Sequence, residues 1–340
     1  MKVFGVDFAP LNTPIDRRLQ TFGVFTWGIL FLSLGPLALV LLYQLLFTSL
    51  WPLTLAYAAW YFYDLDTCNR GGRRYQWFRK AKLWKYYAQY FPVKLIKTAE
   101  LDPEREGNYL LGNHPHGILC SGACAAFATE GCDWGQIFPG VTPSLLTLEG
   151  FHQMPGFREI ISLSGICAAT SKSMDYLLST PQKGRAVILV VGGAREVLCQ
   201  DHDHIDLIIL KRKGFIKKAL KHGSALVPTF SFGEAFIYGN MFPNPRGSLI
   251  RRLQEYIVDK TRWPFPFFLG RGIFQYTFGM LPQRHPITVV IGEPIQVKQV
   301  TDPTPQEIDD LHSKYLIALR NLYDKYNPIY GDPKVQLNYL

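Results

Sequence analysis

From Leu19 to Tyr63 the chain runs for 45 residues without one Asp, Glu, Lys, Arg or His. A membrane-spanning helix needs about 20 apolar residues, so the run is long enough for two. Arg17 and Arg18 precede it, and Arg70, Arg73, Arg74, Arg79, Lys80, Lys82 and Lys85 follow. Positive charge on both flanks puts both ends on the cytosolic side, so the expectation is a hairpin that enters and leaves by one face. Breakers lie at Gly35-Pro36 and from Thr48-Ser49 to Pro52, and either can be the bend. Pro36 would leave one helical acceptor unpaired, which lipid requires to be repaired locally. Trp51, Trp60, Tyr61 and Tyr63 suit interfacial anchors. The competing reading is a pair of core helices in a soluble domain, although uncharged runs of this length are scarce there.

The chain therefore divides into a cytosolic N-terminal segment 1–18, a membrane-embedded hairpin 19–66 and a cytosol-facing domain 67–340. With 340 residues, 48% of them hydrophobic, the chain can bury a large core, organised as one or two domains. A net charge of +9 favours an acidic membrane surface, a phosphate-bearing cofactor or nucleic acid. No Lys/Arg run alternates with aromatics as a single-strand binder requires, so no nucleic-acid partner is expected. The six cysteines form no C-x-x-C pair, which points to a reducing environment. No small-residue cleavage site follows a short apolar core, so no cleavable signal peptide is expected.

Beyond residue 90 strand and helix patterns alternate. Asn108 to Gly112, Ala186 to Val191, Ala225 to Phe230 and Pro286 to Ile291 read as buried strands. Gly117 to Thr129 reads as a small-residue helix, and Lys213 to Lys221 as a helix capped by Gly223. Thr304-Pro305-Gln306-Glu307 has capping-box form, and Ile308, Leu311, Tyr315, Leu319 and Leu322 follow on one helical face. Alternating strands and helices predict an α/β fold with a mostly parallel sheet and flanking helices. Between Ile257 and Pro282, Arg262-Trp263-Pro264-Phe265-Pro266-Phe267-Phe268-Leu269-Gly270-Arg271 cannot form a long regular helix. It is either a loop packed on the core or an interfacial lip with Arg262 and Arg271 at headgroup level.

Asn113-His114-Pro115-His116-Gly117 stands where the first of these strands should break into a turn. Three chemistries fit it. In acyl transfer, a neutral imidazole takes the proton of a substrate hydroxyl as it attacks a thioester, contributing about 10²–10⁴-fold. Pro115 would hold His114 extended, and Gly117 would let backbone approach the reacting atoms. A following helix aimed at the site would offer its free N–H groups to an oxyanion. In a metal site, His-x-His would need further ligands, which Asp201-His202-Asp203-His204 could supply. In a structural role, both rings are merely hydrogen-bonded at a turn. A Ser nucleophile fits poorly, since no G-x-S-x-G occurs. Direct attack by the acceptor hydroxyl is the simpler route.

Gly192-Gly193-Ala194-Arg195-Glu196 follows the strand 186–191, which would put Glu196 at the sheet's carboxyl edge, where α/β sites form. A carboxylate there could orient a histidine, or simply be a helix N-terminal charge. Lys211-Arg212-Lys213-Gly214-Phe215-Ile216-Lys217-Lys218 is a dense basic patch at a helix start, suited to coenzyme A phosphates, acidic lipid heads or plain solvation.

These motifs together resemble the type 2 diacylglycerol acyltransferase family, which includes monoacylglycerol and wax-alcohol acyltransferases. The resemblance spans nearly the whole chain: Tyr90-Phe91-Pro92, His114-Pro115-His116-Gly117, Gly192-Gly193 with Glu196, and Arg212-Lys213-Gly214-Phe215 through Val227-Pro228 to Phe232-Gly233-Glu234. Phe31-Leu32-Ser33-Leu34 is similar to the family's neutral-lipid-binding signature, implying Phe31, Leu32 and Leu34 as contacts. The resemblance implies a glycerolipid-acyltransferase-like fold with His114, His116 and Glu196 at the active site, supported by Asn113, Pro115 and Gly117. It implies Arg212, Lys213, Gly214, Phe215 and Lys217 on the acyl-CoA, which is a co-substrate; no metal and no resident cofactor are expected. Endoplasmic-reticulum residence, with multi-pass topology and a cytosolic catalytic domain, and association with lipid droplets are further implications. Relatives that acylate glycerol phosphates carry an Asp five residues after the first His; here Leu119 stands there, so the partner carboxylate must come from elsewhere.

The expected activity is acyl transfer to diacylglycerol or monoacylglycerol. Wax-ester synthesis on a long-chain alcohol, metal-dependent hydrolysis and a non-catalytic lipid-droplet coat are the alternatives. A monomer and a homo-oligomer are both open.

Overall fold

The computed structural model describes residues 2–199 and 201–340. Helix α1 (Ile15–Leu45) runs unbroken through Gly35-Pro36, so the turn falls at 46–50, before α2 (Trp51–Asp64). α2 folds back, with Thr54 Oγ1 donating to Leu42 O at 3.2 Å. Among the described residues only α1 has the length and composition to cross a membrane. At 14 residues, α2 falls short of the roughly 20 a span needs, so the expectation of two spanning helices is not what the fold presents.

Much of α1 is not free for lipid. Its first half lies on α3 (Lys82–Tyr90): a Cβ at Gly23 would stand 3.1 Å from Tyr87 N. Trp27 meets Trp84 edge-on at 5.6 Å. The end of α2 is tied down as well. Asp64 pairs with Arg158 at 2.9 Å and with Arg73, and the Arg158 guanidinium lies over Trp60 and Tyr61. These two rings, expected as interfacial anchors, are half-buried and serve as cation–π platforms. The largest exposed apolar stretch is the tip, including Leu37, Leu41, Phe47, Trp51 and Leu55, with Phe22, Leu32, Phe62 and Tyr63 exposed outside it.

Seven strands form the central sheet: β1 (Lys94–Lys97), β2 (Tyr109–His114), β3 (Thr142–Thr147), β4 (Cys167–Ala168), β5 (Arg185–Val190), β6 (Ala225–Phe232) and β7 (Thr288–Ile291). Their order is β1-β7-β6-β2-β5-β3-β4. Every neighbouring pair is parallel except β7 with β6. The expected mixed α/β fold with a mostly parallel sheet is present. Parallel strands are buried on both faces, which explains their unbroken apolar runs. Tyr109, Leu111, Ile188 and Val227 pack on one face with α1, α3 and the helix 121–128. Leu110, Val187, Leu226 and Val290 pack on the other with α4 (Gly214–His222) and α6 (Pro305–Tyr330). α6 opens with the full capping box at Thr304 and Glu307, and Gly223 ends α4 at φ +62°.

The segment after α5 (Leu249–Thr261) is mixed in character. Trp263 stacks edge-on against Phe151 at 4.7 Å, and Arg271 is buried, while Phe265 and Phe267 are exposed.

Candidate active site

β2 is the middle strand of the seven, with β6 on one side and β5 on the other, both parallel to it; Asn113 is in register with Val190, and His114 with Phe230. The carboxyl ends of these three strands therefore bring together three loops far apart in sequence: 114–117, 192–196 and 232–234. That is where ligand sites of parallel sheets form.

His114 is the last residue of β2 and is fully sealed. Its Nε2 lies 3.1 Å from Tyr315 Oη, whose proton goes to Gly112 O, while Nδ1 meets no partner among the described residues. Burial pushes His114 down to about 3, so the ring is neutral. Gly112 must lack a side chain: a Cβ there would sit 2.0 Å from Tyr315 Oη. Asn113 points the other way, accepting from Ser231 Oγ at 3.1 Å. Pro115 is buried in the turn.

His116 is partly open. Its Nδ1 is 3.0 Å from Gly117 O, a bond that requires Nδ1–H and leaves the lone pair on Nε2. Burial lowers its pKa, so it too is neutral near pH 7. Cys120 Sγ lies 3.3 Å from the same Nδ1 and donates to His116 O at 2.9 Å. Burial holds that thiol far above the usual cysteine range.

Glu196 reaches this loop, but by a different contact from the one expected. Oε1 accepts the backbone N–H of His116 at 2.7 Å and Oε2 that of Ile208 at 2.9 Å. The carboxylate grips the main chain, not the imidazole. Gly192 makes room, since a Cβ there would fall 1.9 Å from Glu196 Oε2.

Glu234 mirrors it from the other side. Its two oxygens accept the N–H groups of Ser121 and Gly122, both at 2.7 Å. The helix N-terminus expected to serve as an oxyanion hole is thus already occupied by a side chain, because four free N–H groups at a helix start bind the nearest carboxylate. Gly117, at φ +58°, passes so close that a Cβ would stand 2.7 Å from Glu234 Cγ. Burial pushes both Glu196 and Glu234 up to about 7, against the opposing backbone N–H bonds.

The other expected residues are distributed differently. Arg212 is exposed, yet close enough for its charge to act on Glu196. Lys213 is committed to Asp309 at 2.6 Å, Gly214 opens α4, and Lys217 is exposed. Phe215 is a core residue, 5.1 Å edge-on from Tyr315. Phe31 packs on Phe151 and Phe157, and Leu34 faces Gly156; only Leu32 points outward. His202 bonds Tyr238 O, and among the described residues no three His, Cys, Asp or Glu side chains converge in metal-binding geometry. Tyr315 and Glu234 lay in view in the sequence only as a helix-face residue and the end of a motif. The usable signals were glycines opposite them, Gly112, Gly117 and Gly122.

The profile described as diacylglycerol acyltransferase matches residues 43–339. The chain is 41% identical to 2-acylglycerol O-acyltransferase 1 of Bos taurus, covering 97% of both chains. It is 41% identical to 2-acylglycerol O-acyltransferase 3 of Homo sapiens, covering 93% of this chain and 92% of that one. It is also 41% identical to diacylglycerol O-acyltransferase 2B of Umbelopsis ramanniana, covering 97% and 94%. Among solved structures, the 1-acyl-sn-glycerophosphate acyltransferase of Thermotoga maritima aligns over 90% of this chain and 94% of its own, at TM-score 0.41 and 11% identity.

Proposed function

Because this chain belongs to the diacylglycerol acyltransferase family, we propose that it is a membrane-bound acyltransferase moving a fatty acyl group from acyl-CoA to the hydroxyl of monoacylglycerol or diacylglycerol. The observation that carries the mechanism is the His116 ring. Gly117 O holds Nδ1–H, Glu196 holds the backbone N–H, and Nε2 is left as a neutral acceptor in a partly open position. His116 Nε2 takes the proton of the acceptor hydroxyl while its oxygen attacks the thioester carbonyl. The tetrahedral intermediate collapses, the carbon–sulfur bond breaks, and the coenzyme A thiolate receives the proton from the imidazolium. The rate comes from holding alcohol, thioester and base together. The reaction so drawn uses acyl-CoA as co-substrate and needs no resident cofactor or metal. His114, sealed against Tyr315, supports the strand end beneath it, and Glu196 and Glu234 position the loop.

The donor's phosphates dock on Arg212 and Lys217, two exposed basic residues of the patch, of which Arg212 is close enough for its charge to act on Glu196. The acceptor arrives from lipid along the exposed apolar tip of α1 and α2, past Leu32 and the aromatic segment 263–270. The tip enters and leaves an endoplasmic-reticulum or lipid-droplet membrane from the cytosolic side, with residues 67–340 on that side as the catalytic domain. Microsomes containing the protein, given labelled oleoyl-CoA with diacylglycerol, monoacylglycerol and a long-chain alcohol in parallel, test the reading. Glycerolipid ester formation that His116→Ala abolishes at equal expression is expected. Ester formation untouched by that substitution would sink the mechanism, and selective use of the alcohol would reassign the acceptor.

A further inference from the structure

At the foot of α1 two guanidinium groups share one aromatic ring without a counter-charge. Arg271 donates from Nε to Tyr90 Oη at 2.8 Å and from Nη2 to Thr21 Oγ1 at 3.3 Å. Arg284 donates to Gln20 Oε1 at 2.7 Å, Arg17 O at 2.8 Å and Thr21 Oγ1 at 3.0 Å. The two lie 5.4 and 4.1 Å from the centre of the Tyr90 ring. Every one of these acceptors is neutral.

The other buried arginines differ. Arg79 has Glu130, Arg158 has Asp64 and Arg251 has Glu255, each within 3.3 Å. Among the described residues Arg271 is the buried arginine with no carboxylate. Arg284 likewise has no carboxylate among its described partners; burial, with the like charges of Arg271 and Arg17, holds it down to about 10. Contact with a ring offsets only part of the desolvation of a cation. Buried charges are paired, and here the pair is incomplete.

The surroundings identify the missing partner. This niche lies where α1 passes from charged to uncharged sequence, the level at which phospholipid headgroups meet a membrane helix. Phe22, next to Thr21 on α1, is exposed, as are Phe274 and Phe278, which flank the Tyr276 ring that Arg271 overlies at 4.8 Å. A cationic, hydrogen-bonding floor with an apolar rim matches an anionic group attached to acyl chains. Free phosphate would gain nothing from the rim.

We propose that Arg17, Arg271 and Arg284 form a binding site for the phosphate of an anionic membrane phospholipid, held at the foot of α1 and distinct from donor and acceptor. The inference rests on α1 being membrane-embedded, and does not depend on which alcohol is acylated. Arg271 and Arg284 supply charge-assisted hydrogen bonds from below; Arg17, exposed at the mouth, adds charge.

The test uses full-length protein purified in detergent, with bound lipid counted by native mass spectrometry during titration with dioleoyl phosphatidate or dioleoylphosphatidylcholine. Saturable retention of phosphatidate alone is expected. Arg17→Gln, which removes no side-chain hydrogen bond of the structure, should weaken it about tenfold, and Arg284→Gln by more. Arg284→Lys should retain it, and Arg212→Gln should leave it unchanged. If Arg284→Gln unfolds, Arg17→Gln decides. Phosphatidate binding that survives Arg17→Gln and Arg284→Gln overturns the proposal, as does equal retention of phosphatidylcholine. Displacement of the lipid by coenzyme A or inorganic phosphate, with loss of that anion's own binding in Arg284→Gln, also overturns it and assigns the niche to a soluble phosphate.

Discussion

Tyr315 Oη stands 3.1 Å from His114 Nε2 and 3.1 Å from Gly112 O, tying α6 to the end of the central strand. A hydroxyl has one proton, and here the carbonyl receives it. The imidazole must then donate from Nε2, which leaves the lone pair on Nδ1. Tyr315→Phe would strand the buried Nε2–H of His114 and remove one bond to Gly112 O, at a cost of about 1–3 kcal/mol. Thermal denaturation should record that loss. If the bond also positions the strand end, kcat falls about tenfold with KM for both substrates unchanged; unchanged kcat would confine Tyr315 to stability.

The two histidines should separate experimentally. His116→Ala removes the proposed base, and a loss of about 10²–10⁴-fold in kcat is expected with little change in Tm. His114→Ala opens a cavity and frees Tyr315, so it should lower Tm as well as activity. Equal stability loss in both variants would argue against this division of roles.

Glu196 and Glu234 set a pH dependence with two opposite signs. Each carboxyl is raised to about 7 in the folded protein from an ordinary 4.5. The folded state therefore holds these protons more tightly than the unfolded chain. Their contribution to stability is complete below pH 4.5 and is lost as pH rises through about 7. The loop clamp needs the ionised form, since each oxygen accepts an N–H, so activity should fall as pH drops through about 7. Burial lowers the pKa of His116, so the ring is neutral at pH 7 where this limb begins. Glu234→Gln places an amide donor against a backbone donor, and should lower kcat and remove part of the acid limb. The Tm difference between wild type and Glu234→Gln should shrink from pH 5 to pH 8; a constant difference would refute the linkage.

Within the basic patch the residues should not be equivalent. Arg212→Glu with Lys217→Glu should raise KM for acyl-CoA far more than for the acceptor. Lys213→Glu alone should do less, because Lys213 is already paired with Asp309. Phe215→Ala should act differently again, lowering stability by about 3–5 kcal/mol through the Tyr315 contact. A donor-specific KM effect of Phe215→Ala in folded protein would restore it to the ligand surface.

Membrane attachment should reside in the tip. Replacing Leu37, Leu41, Trp51 and Leu55 by Ser should weaken retention in carbonate-washed membranes while leaving Tm nearly unchanged. Deleting 19–63 should instead give unfolded protein, since Val24 and Trp27 belong to the core. Protease protection that places the C-terminus in the lumen would reverse the proposed topology.

Much of this protein was legible in one dimension. The uncharged run, the buried strands at 109–114, 185–190 and 225–232, the Thr304 capping box and the Gly223 cap all depend on neighbours within a few residues, so composition and periodicity carry them. The family resemblance and the histidine turn were equally local. The contacts that make the site are of another kind. Glu196 meeting the His116 backbone, Glu234 closing the helix at Ser121, and Tyr315 under His114 join residues 80, 113 and 201 positions apart. Only the order β6-β2-β5, and the packing of α6 beneath it, brings them together. The sequence could say that a carboxylate was available; it could not say that the carboxylate would hold an amide rather than a ring, because that choice turns on angstroms of strand placement. The same holds at the membrane. Absence of charge determined where lipid contact was permitted, whereas packing of Trp27 on Trp84 and of Arg158 on Asp64 decided how much of that stretch the protein keeps for itself. Apolar surface is satisfied equally by lipid and by a protein core, and only tertiary structure distinguishes the two.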